Sequence, residues 1–204
     1  NSANTVQSKM ETISFTSSRT PGEPHLYILS IGTDNYKDPS ANLRYAVKDA
    51  QDFSSKLAAK AISIYKPENI HVSLLTDAGK EVVLAEINKL TPKIKPGDGF
   101  ILFVAAHGVL LENQYYIVTA DYSSDLNASA LISTNEIVDI SKRIKAFSQL
   151  YIFDTCHAGG VDNIISGLYD ARMSVMAKKM GLHIYASAGS LQTAMDGYKG
   201  NGLY

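Results

Sequence analysis

The sequence predicts an α/β protein of three layers, in which helices cover both faces of a mostly parallel β-sheet. Short continuous apolar runs alternate along the chain with segments of helical periodicity, the pattern of successive βαβ units. The chain has 204 residues, 45% of them hydrophobic, which is enough for a sizeable core. Two of the strongest apolar runs end in a histidine or a cysteine, as expected where strand ends carry a site.

The first half of the chain predicts two strand–helix pairs. Residues 1–24 are rich in Ser, Thr and Asn and predict a polar linker or extended arm. The run "HLYILSIG" (25–32) predicts a strand buried on both faces, because it is continuously apolar and ends in glycine. Apolar residues then recur every three or four positions in 41–61, which predicts an amphipathic helix. A strand over 70–77 and a helix over 80–94 follow.

The second half repeats the alternation. A strand is predicted over 97–108, ending at His-Gly, and a short strand over 114–121 has the length expected of part of a hairpin. Ser133 and Glu136 form a capping-box pattern at the start of a helix over 133–144. Two further strands are predicted, "QLYIFDT" (149–155) and "GLHIYASAG" (181–189). Residues 25–204 thus form one domain, and a closing helix and strand are expected to be missing after its last strand.

Composition excludes several classes of function. The net charge is −1, whereas contact with nucleic acid or an anionic membrane calls for a basic patch. A single cysteine cannot form an intramolecular disulfide, which favours a reducing compartment and predicts a cytoplasmic protein. No apolar stretch approaches the roughly 20 residues that span a bilayer, and residues 1–20 lack the apolar centre of a secretory leader.

A histidine and the single cysteine end two of the predicted strands. His107 ends "FILFVAAHG", and Cys156 follows the apolar run of "QLYIFDTCHAGG". If these strands are neighbours they lie about 4.8 Å apart, close enough for an imidazole to deprotonate a thiol and later to protonate a leaving amine. The backbone N–H groups of Gly108 and Cys156 are the predicted oxyanion hole. The plainer alternative is a small buried apolar cysteine and a hydrogen-bonded surface histidine.

The segments "LFVAAHG" and "YIFDTCHAGG" resemble the two catalytic motifs of caspase-like cysteine peptidases, closest to metacaspases and their bacterial relatives. Residues 25 to about 200 keep the order and spacing of that family, and His107 precedes Cys156 by 49 residues, near the 50 or so of caspases. The resemblance implies a caspase-like fold, a Cys–His dyad, a thioester intermediate and no cofactor. Ala105 and Ala106 replace the usual Ser-Gly, and His157 is expected to be structural.

Two aspartates predict the specificity. Asp154 lies two residues before Cys156, so strand alternation places both side chains on one face. A carboxylate beside a thiolate would raise the thiol pKa, which indicates that Asp154 meets a cation. The resemblance to metacaspases implies that Asp154 and Asp49 form a pocket for a basic residue, with cleavage after Arg or Lys and not after Asp. The alternatives are a turn carboxylate at Asp154 and a solvated helix residue at Asp49.

Other charged residues carry weaker hypotheses. The stretch 166–181 matches the place of an activation loop, and its candidate self-cleavage sites are Arg172, Lys178 and Lys179; the alternative is an ordinary surface helix. Calcium activation has no support in ligand spacing, because the loop carboxylates do not form a known binding pattern. Those carboxylates are Asp121, Asp125 and Asp162. The histidines expected to be structural, far from the catalytic edge, are His25, His71 and His183.

Three functions therefore compete. The first is a cysteine endopeptidase that acts on protein or peptide substrates. Such a peptidase is expected to work with regulatory domains or subunits of a larger assembly, as in bacterial immune or cell-death effectors. The second is a catalytically silent caspase-fold interaction or regulatory module, against which the intact His107, Gly108 and Cys156 count. The third is a doubly wound nucleotide or phosphate binder. It lacks support because "SIGTDNYKDPSAN" has neither the P-loop nor the dinucleotide-binding spacing.

Overall fold

A computed structural model of the protein describes residues 22–112, 114–124, 127–157, 183–186, 196–198 and 201–202. Seven strands of these described segments form one sheet, and two short strands pair separately. The strands are β1 Leu26–Gly32, β2 Ile70–Thr76, β3 Gly99–Leu111, β4 Gln114–Val118, β5 Leu131–Ser133, β6 Ser148–His157, β7 His183–Ala186, β8 Asp196–Tyr198 and β9 Asn201–Gly202. The helices are α1 Ala46–Ala61, α2 Lys80–Leu90 and α3 Thr134–Arg143.

The sheet has a parallel centre in the order β2, β1, β3, β6, β7, and each of these pairs runs in register over at least four residues. β4 and β5 add an antiparallel extension to β3. Gly108 of β3 pairs with both Ile117 of β4 and His157 of β6, so β4 must lie on the β1 side of β3, beyond the point where β1 ends. The predicted mostly parallel sheet is confirmed.

Helices cover both faces of the sheet, as predicted. Val83, Ile87 and Leu90 of α2 and two isoleucines of α3 pack with alternate residues of β1, β3 and β6 in the main core. α1 covers the opposite face, where Ala46 and Ala50 pack on Phe103, Ala105 and Ile152. The approach of α1 is close enough to require glycine at position 32, since a Cβ there would lie 2.6 Å from the Cα of Val47.

Several element ends differ from the predicted ones. β3 continues to Leu111 and does not stop at 108, because its last four residues pair with β4 in a hairpin. α1 begins at Ala46 and not at 41, since a short 3-10 turn, Pro39–Ala41, precedes it. The capping box of Ser133 and Glu136 forms as predicted at the start of α3. No helix in the described segments is long and apolar enough to cross a membrane.

Candidate active site

The two reactive residues singled out by the sequence lie side by side on neighbouring strands. In the parallel ladder between β3 and β6, His107 is the register partner of Cys156. Adjacent strands are about 4.8 Å apart, so the two backbones meet at one level of the sheet. This level lies two residues beyond the last β1–β3 pair, Gly32 with Ala105, at the carboxyl end of the parallel sheet. The predicted adjacency of these two strands is confirmed.

The His107 ring is held in one tautomer. Its Nε2 lies 2.8 Å from the carbonyl oxygen of Ala41, and a carbonyl can only accept a hydrogen bond. Nε2 therefore carries the proton in the neutral ring. Nδ1 is buried and has no hydrogen-bond partner among the side chains that the structure describes. Its lone pair is thus available to take a proton.

The surroundings of His107 keep the ring neutral. Burial lowers the pKa of the imidazole below its ordinary value, and the hydrogen bond to the Ala41 carbonyl opposes that effect without reversing it. An unperturbed histidine has a pKa of about 6.5, so this ring is uncharged at neutral pH. A neutral imidazole with a bare Nδ1 is the form that a general base requires.

The loop between β1 and α1, residues 33–45, supplies the carbonyl that holds His107. The loop is anchored by Asp77 at the end of β2, whose Oδ1 accepts the backbone N–H groups of Asp34 and Asn35 at 2.8 and 2.9 Å. Asp77 has a positive φ of 48°, and its own N–H bonds the carbonyl of Gly32. Burial acts to raise the pKa of the Asp77 carboxyl, but the bonds from Asn35 and Asp34 lower it, so the anchor stays charged.

Gly108, predicted to line the oxyanion hole, follows His107 directly. A side chain is excluded at this position because a Cβ would lie 2.6 Å from Cε2 of Tyr115. The Tyr115 hydroxyl in turn bonds the hydroxyl of Thr155, the residue before Cys156. Both Tyr115 and Thr155 are buried, so this hydrogen bond joins β4 to β6 beneath the two candidate catalytic positions.

The two predicted specificity residues lie on one side of the sheet. Asp154 is the register partner of Ala105, which packs under α1, and Asp49 lies in the first turn of α1. Both are partly exposed. The structure thus puts Asp154 on the face of the sheet that α1 covers, near the carboxyl end of β6, and Asp49 on α1 itself.

The remaining predicted residues do not join this group. Asp121 pairs with Lys37 at 2.9 Å and accepts the backbone N–H of Lys80, so protein groups occupy its carboxylate. Within the described residues no cluster of three or more His, Cys, Asp or Glu side chains could hold a metal ion. His25 and His71 lie at the amino end of the sheet, and His183 begins β7. The predicted residues outside the described segments are Asp125, Asp162, Arg172, Lys178 and Lys179.

Sequence reasoning missed two contributors to the site, the Ala41 carbonyl and Tyr36. The Tyr36 hydroxyl accepts the backbone N–H of His107 at 3.0 Å. A backbone carbonyl has no signature in a sequence, because every residue carries one. The available signal for Tyr36 was a large aromatic residue in an otherwise polar loop, "TDNYKDPSAN", directly after a buried strand.

Comparison with known proteins identifies the family and the fold. A family profile described as the caspase domain matches residues 27–204. No curated protein matches the chain. Among solved structures, protein GSU0716 from Geobacter sulfurreducens aligns with a TM-score of 0.61 and 17% identity, covering 88% of this chain and 78% of that one. The Drosophila initiator caspase Dronc aligns with a TM-score of 0.49 and 13% identity, over 64% of this chain and 48% of that one.

The likeness to GSU0716 shows the fold, since at 17% identity it carries no statement about activity. The family profile extends over nearly the whole chain, from the second residue of β1 to the last residue of the sequence. It therefore includes every described helix and, apart from Leu26, every described strand, together with His107 and Cys156. The chain belongs to the caspase-domain family of cysteine peptidases.

Proposed function

We propose that the chain is a cysteine endopeptidase that uses His107 and Cys156 as a catalytic dyad and cleaves proteins after Arg or Lys. The observation that supports this proposal best is the register of β3 and β6. It sets the single cysteine of the chain beside a neutral histidine whose Nδ1 has no partner among the described side chains. A packing role could explain the presence of either residue by itself. It does not explain why the two are register partners at the carboxyl end of the parallel sheet.

In the first half of the reaction, the Cys156 thiol gives its proton to Nδ1 of His107. The thiolate then attacks the substrate carbonyl carbon, and the carbonyl oxygen becomes an anion. The proposed donors to this anion are the N–H groups of Gly108 and Cys156; both residues are paired in the β3–β6 ladder, so the two strands must separate there for the N–H groups to reach it. The imidazolium is stabilised because its Nε2–H already donates to the Ala41 carbonyl at 2.8 Å. When the tetrahedral intermediate collapses, Nδ1–H protonates the leaving amine and a thioester remains.

In the second half, water replaces the departed amine. His107 is neutral again, so Nδ1 takes a proton from the water as its oxygen attacks the thioester carbonyl. The carbon–sulfur bond breaks, the carboxylic acid product leaves, and the proton on Nδ1 returns to the Cys156 sulfur. Neither half of the reaction uses a cofactor.

The proposed specificity follows from Asp154 and Asp49. Asp154 is two residues from the proposed nucleophile and is the register partner of Ala105 under α1, and Asp49 lies in the first turn of that helix. An Arg side chain could bind a carboxylate through two parallel hydrogen bonds, and Lys through a single ammonium. A substrate with Asp before the scissile bond would bring a like charge to the same place and would be rejected.

The test is covalent labelling with a peptidyl acyloxymethyl ketone that ends in Arg. Because the chain has one cysteine, intact-mass analysis reports modification of Cys156 without ambiguity. We expect rapid labelling by the Arg reagent, little by the matched Asp reagent, and none in Cys156→Ala. Equal slow labelling by both reagents, at the rate of a free thiol, would rule out the dyad and its pocket.

Self-processing is a further part of the proposal. Arg172, Lys178 and Lys179 fit the proposed specificity and follow Cys156 along the chain. Mass spectrometry of freshly purified protein should find a break after one of them that is absent from Cys156→Ala. A break that persists in Cys156→Ala would be the work of another protease, and would remove this part of the proposal.

A further inference from the structure

We propose that Tyr36 is a positioning residue for His107: its hydroxyl fixes the main chain of the proposed base, and its ring excludes water from the imidazole. The proposal rests on the function proposed above. Tyr36 is only 6% exposed although it lies in a polar loop, and it contacts His107 in two independent ways. A residue that only filled space would need neither the hydrogen bond to the His107 main chain nor the contact between the two rings.

The first contact fills a gap in the sheet. Thr33 N–H bonds the carbonyl of Ala105 at 3.0 Å, so the polar groups of Ala105 point to the β1 side of β3. Strand alternation directs the N–H of His107 to the same side. β1 has ended at this level, and pairing with β4 begins only at Gly108. The Tyr36 hydroxyl, 3.0 Å away, is the acceptor that replaces the missing strand.

The second contact covers the imidazole. The Tyr36 and His107 ring centroids are 5.2 Å apart, with the planes inclined by 33°. Tyr36 is itself fixed in an apolar cluster with Val109, Val118 and Leu131, so it cannot swing away without disturbing β3, β4 and β5. The tyrosine ring therefore contributes to the burial that lowers the pKa of His107.

Both contacts depend on the loop that also holds Ala41. Tyr36 N–H bonds Oδ1 of Asn42 at 2.9 Å, one residue after the carbonyl that binds His107 Nε2. The position of Tyr36 and the tautomer of His107 are thus set by the same turn. Burial raises the pKa of the Tyr36 hydroxyl, so it stays neutral and accepts through a lone pair. The nearby carboxylates of Asp34 and Asp77 also raise the pKa of Tyr36. For His107, burial lowers the pKa and the hydrogen bond to the Ala41 carbonyl raises it.

Two substitutions separate the roles of the hydroxyl and the ring. Tyr36→Phe keeps the ring and leaves the His107 N–H without its acceptor, so we expect kcat to fall about tenfold with KM unchanged and the acid limb of the pH profile in place. Tyr36→Leu also admits water to the imidazole, so the acid limb should move up towards pH 6.5 or so, the value for an exposed histidine. Tyr116→Phe is the matched control, since Tyr116 packs on the same cluster and its hydroxyl bonds Gln114.

A second measurement does not depend on peptidase activity. In a Cys156→Ser background, the Hε1 resonance of His107 is followed by NMR against pH and assigned by its loss in His107→Gln. We expect the resonance to titrate below the ordinary range with Tyr36 or Phe at position 36, and higher with Leu. If the resonance shifts in this way but no substrate is cleaved, the positioning role stands and the proposed function fails.

Other outcomes would overturn the positioning role. Equal loss of kcat in Tyr36→Phe and Tyr116→Phe would make the tyrosine hydroxyl an ordinary structural group. An unchanged His107 titration in folded Tyr36→Leu would show that the ring does not control the imidazole. If Tyr36→Leu does not fold, as judged by circular dichroism, the comparison of Tyr36→Phe with Tyr116→Phe decides the matter alone.

Discussion

The two ends of the central sheet both carry a partly buried histidine whose pKa is lowered, yet the two rings are bonded differently. At the amino end, His71 Nε2 lies 2.9 Å from His25 Nδ1, so one ring donates to the other. The two rings are stacked with centroids 5.2 Å apart. At the carboxyl end, His107 Nε2 bonds the Ala41 carbonyl, and Nδ1 has no partner among the described side chains.

This difference separates a structural histidine from a candidate base. In the pair at the amino end, a nitrogen that could accept a proton is already used as a hydrogen-bond acceptor, and the neighbouring strand brings no thiol. The histidine at the carboxyl end has its donor nitrogen fixed and its acceptor nitrogen open, at the level of Cys156. Lowered pKa values are common to both ends, so it is the geometry that distinguishes their roles.

Removing each ring in turn tests the contrast between the two ends most directly. His107→Gln should lower kcat/KM for an Arg substrate by roughly 10³-fold or more, because the proposed base and the acid for the leaving amine are lost together. His71→Gln should leave kcat/KM unchanged, since it lies at the opposite end of the sheet. Steady-state kinetics on one fluorogenic peptide tests both, and comparable losses in the two variants would contradict the assignment.

The next effect in size concerns charge at the carboxyl end. Asp154→Asn keeps the size of the side chain and removes its charge, so kcat/KM for an Arg peptide should fall on the order of 10²-fold, as expected for loss of a charge-assisted contact in the pocket. Asp52→Asn is a matched control, since Asp52 lies on the exposed side of α1 and binds Lys48 and Lys56. Unchanged kinetics in Asp154→Asn would remove Asp154 from the pocket.

The proximity of the two site residues could be predicted from the sequence, because buried parallel strands carry the ends of their hydrophobic runs to the same edge of the sheet, although β3 and β6 both continue past the predicted ends. His107 and Cys156 therefore came out side by side as expected. The end of β3 could not be predicted in the same way. The apolar sequence of residues 108–111 is compatible with either a loop or a hairpin strand. Only the pairing with β4 shows that these residues form a strand.

The surroundings of His107 were beyond sequence reasoning for a different physical reason. The Ala41 carbonyl lies 66 positions from His107 in the chain, and it reaches the ring only because the loop after β1 is folded by Asp77 and Asn42. Those contacts are tertiary and involve polar side chains, whose partners local propensity does not specify. The residue types in the site could be predicted from the sequence, whereas the tautomer that makes His107 a candidate base could not.

A smaller effect should follow from filling the space at Gly108. In Gly108→Ala the new methyl would overlap the Tyr115 ring and force apart the hydrogen bond between Tyr115 and Thr155. We expect about a tenfold fall in kcat and a loss of roughly 1–3 kcal/mol in unfolding free energy from overpacking. Tyr115→Phe in the same background should relieve only part of the overlap, because the methyl meets the tyrosine hydroxyl first and then two ring carbons. Wild-type kinetics and stability in Gly108→Ala would show that the strands can separate freely here.

The smallest effect tests the amino end of the sheet. The pKa of His71 is lowered chiefly by burial, then by His25 and Lys93, while Asp98 acts in the opposite direction. The unfolded chain has the ordinary value of about 6.5, so below that pH it binds a proton that the folded protein resists. The contribution of His71 to folding stability is therefore complete above pH 6.5 or so, and is lost as the pH falls through the lower folded pKa.

His71→Gln should remove this dependence without touching catalysis. Glutamine can still bond His25 but does not titrate, so the fall in Tm between pH 7 and pH 5 should shrink on the order of 1–2 °C. Thermal unfolding followed by circular dichroism at the two pH values gives the comparison, with His107→Gln as the reference for the other end. An identical fall in wild type and His71→Gln would show that His71 binds its proton equally well in the folded and unfolded states. The contrast between the ends would then rest on the open nitrogen of His107 alone.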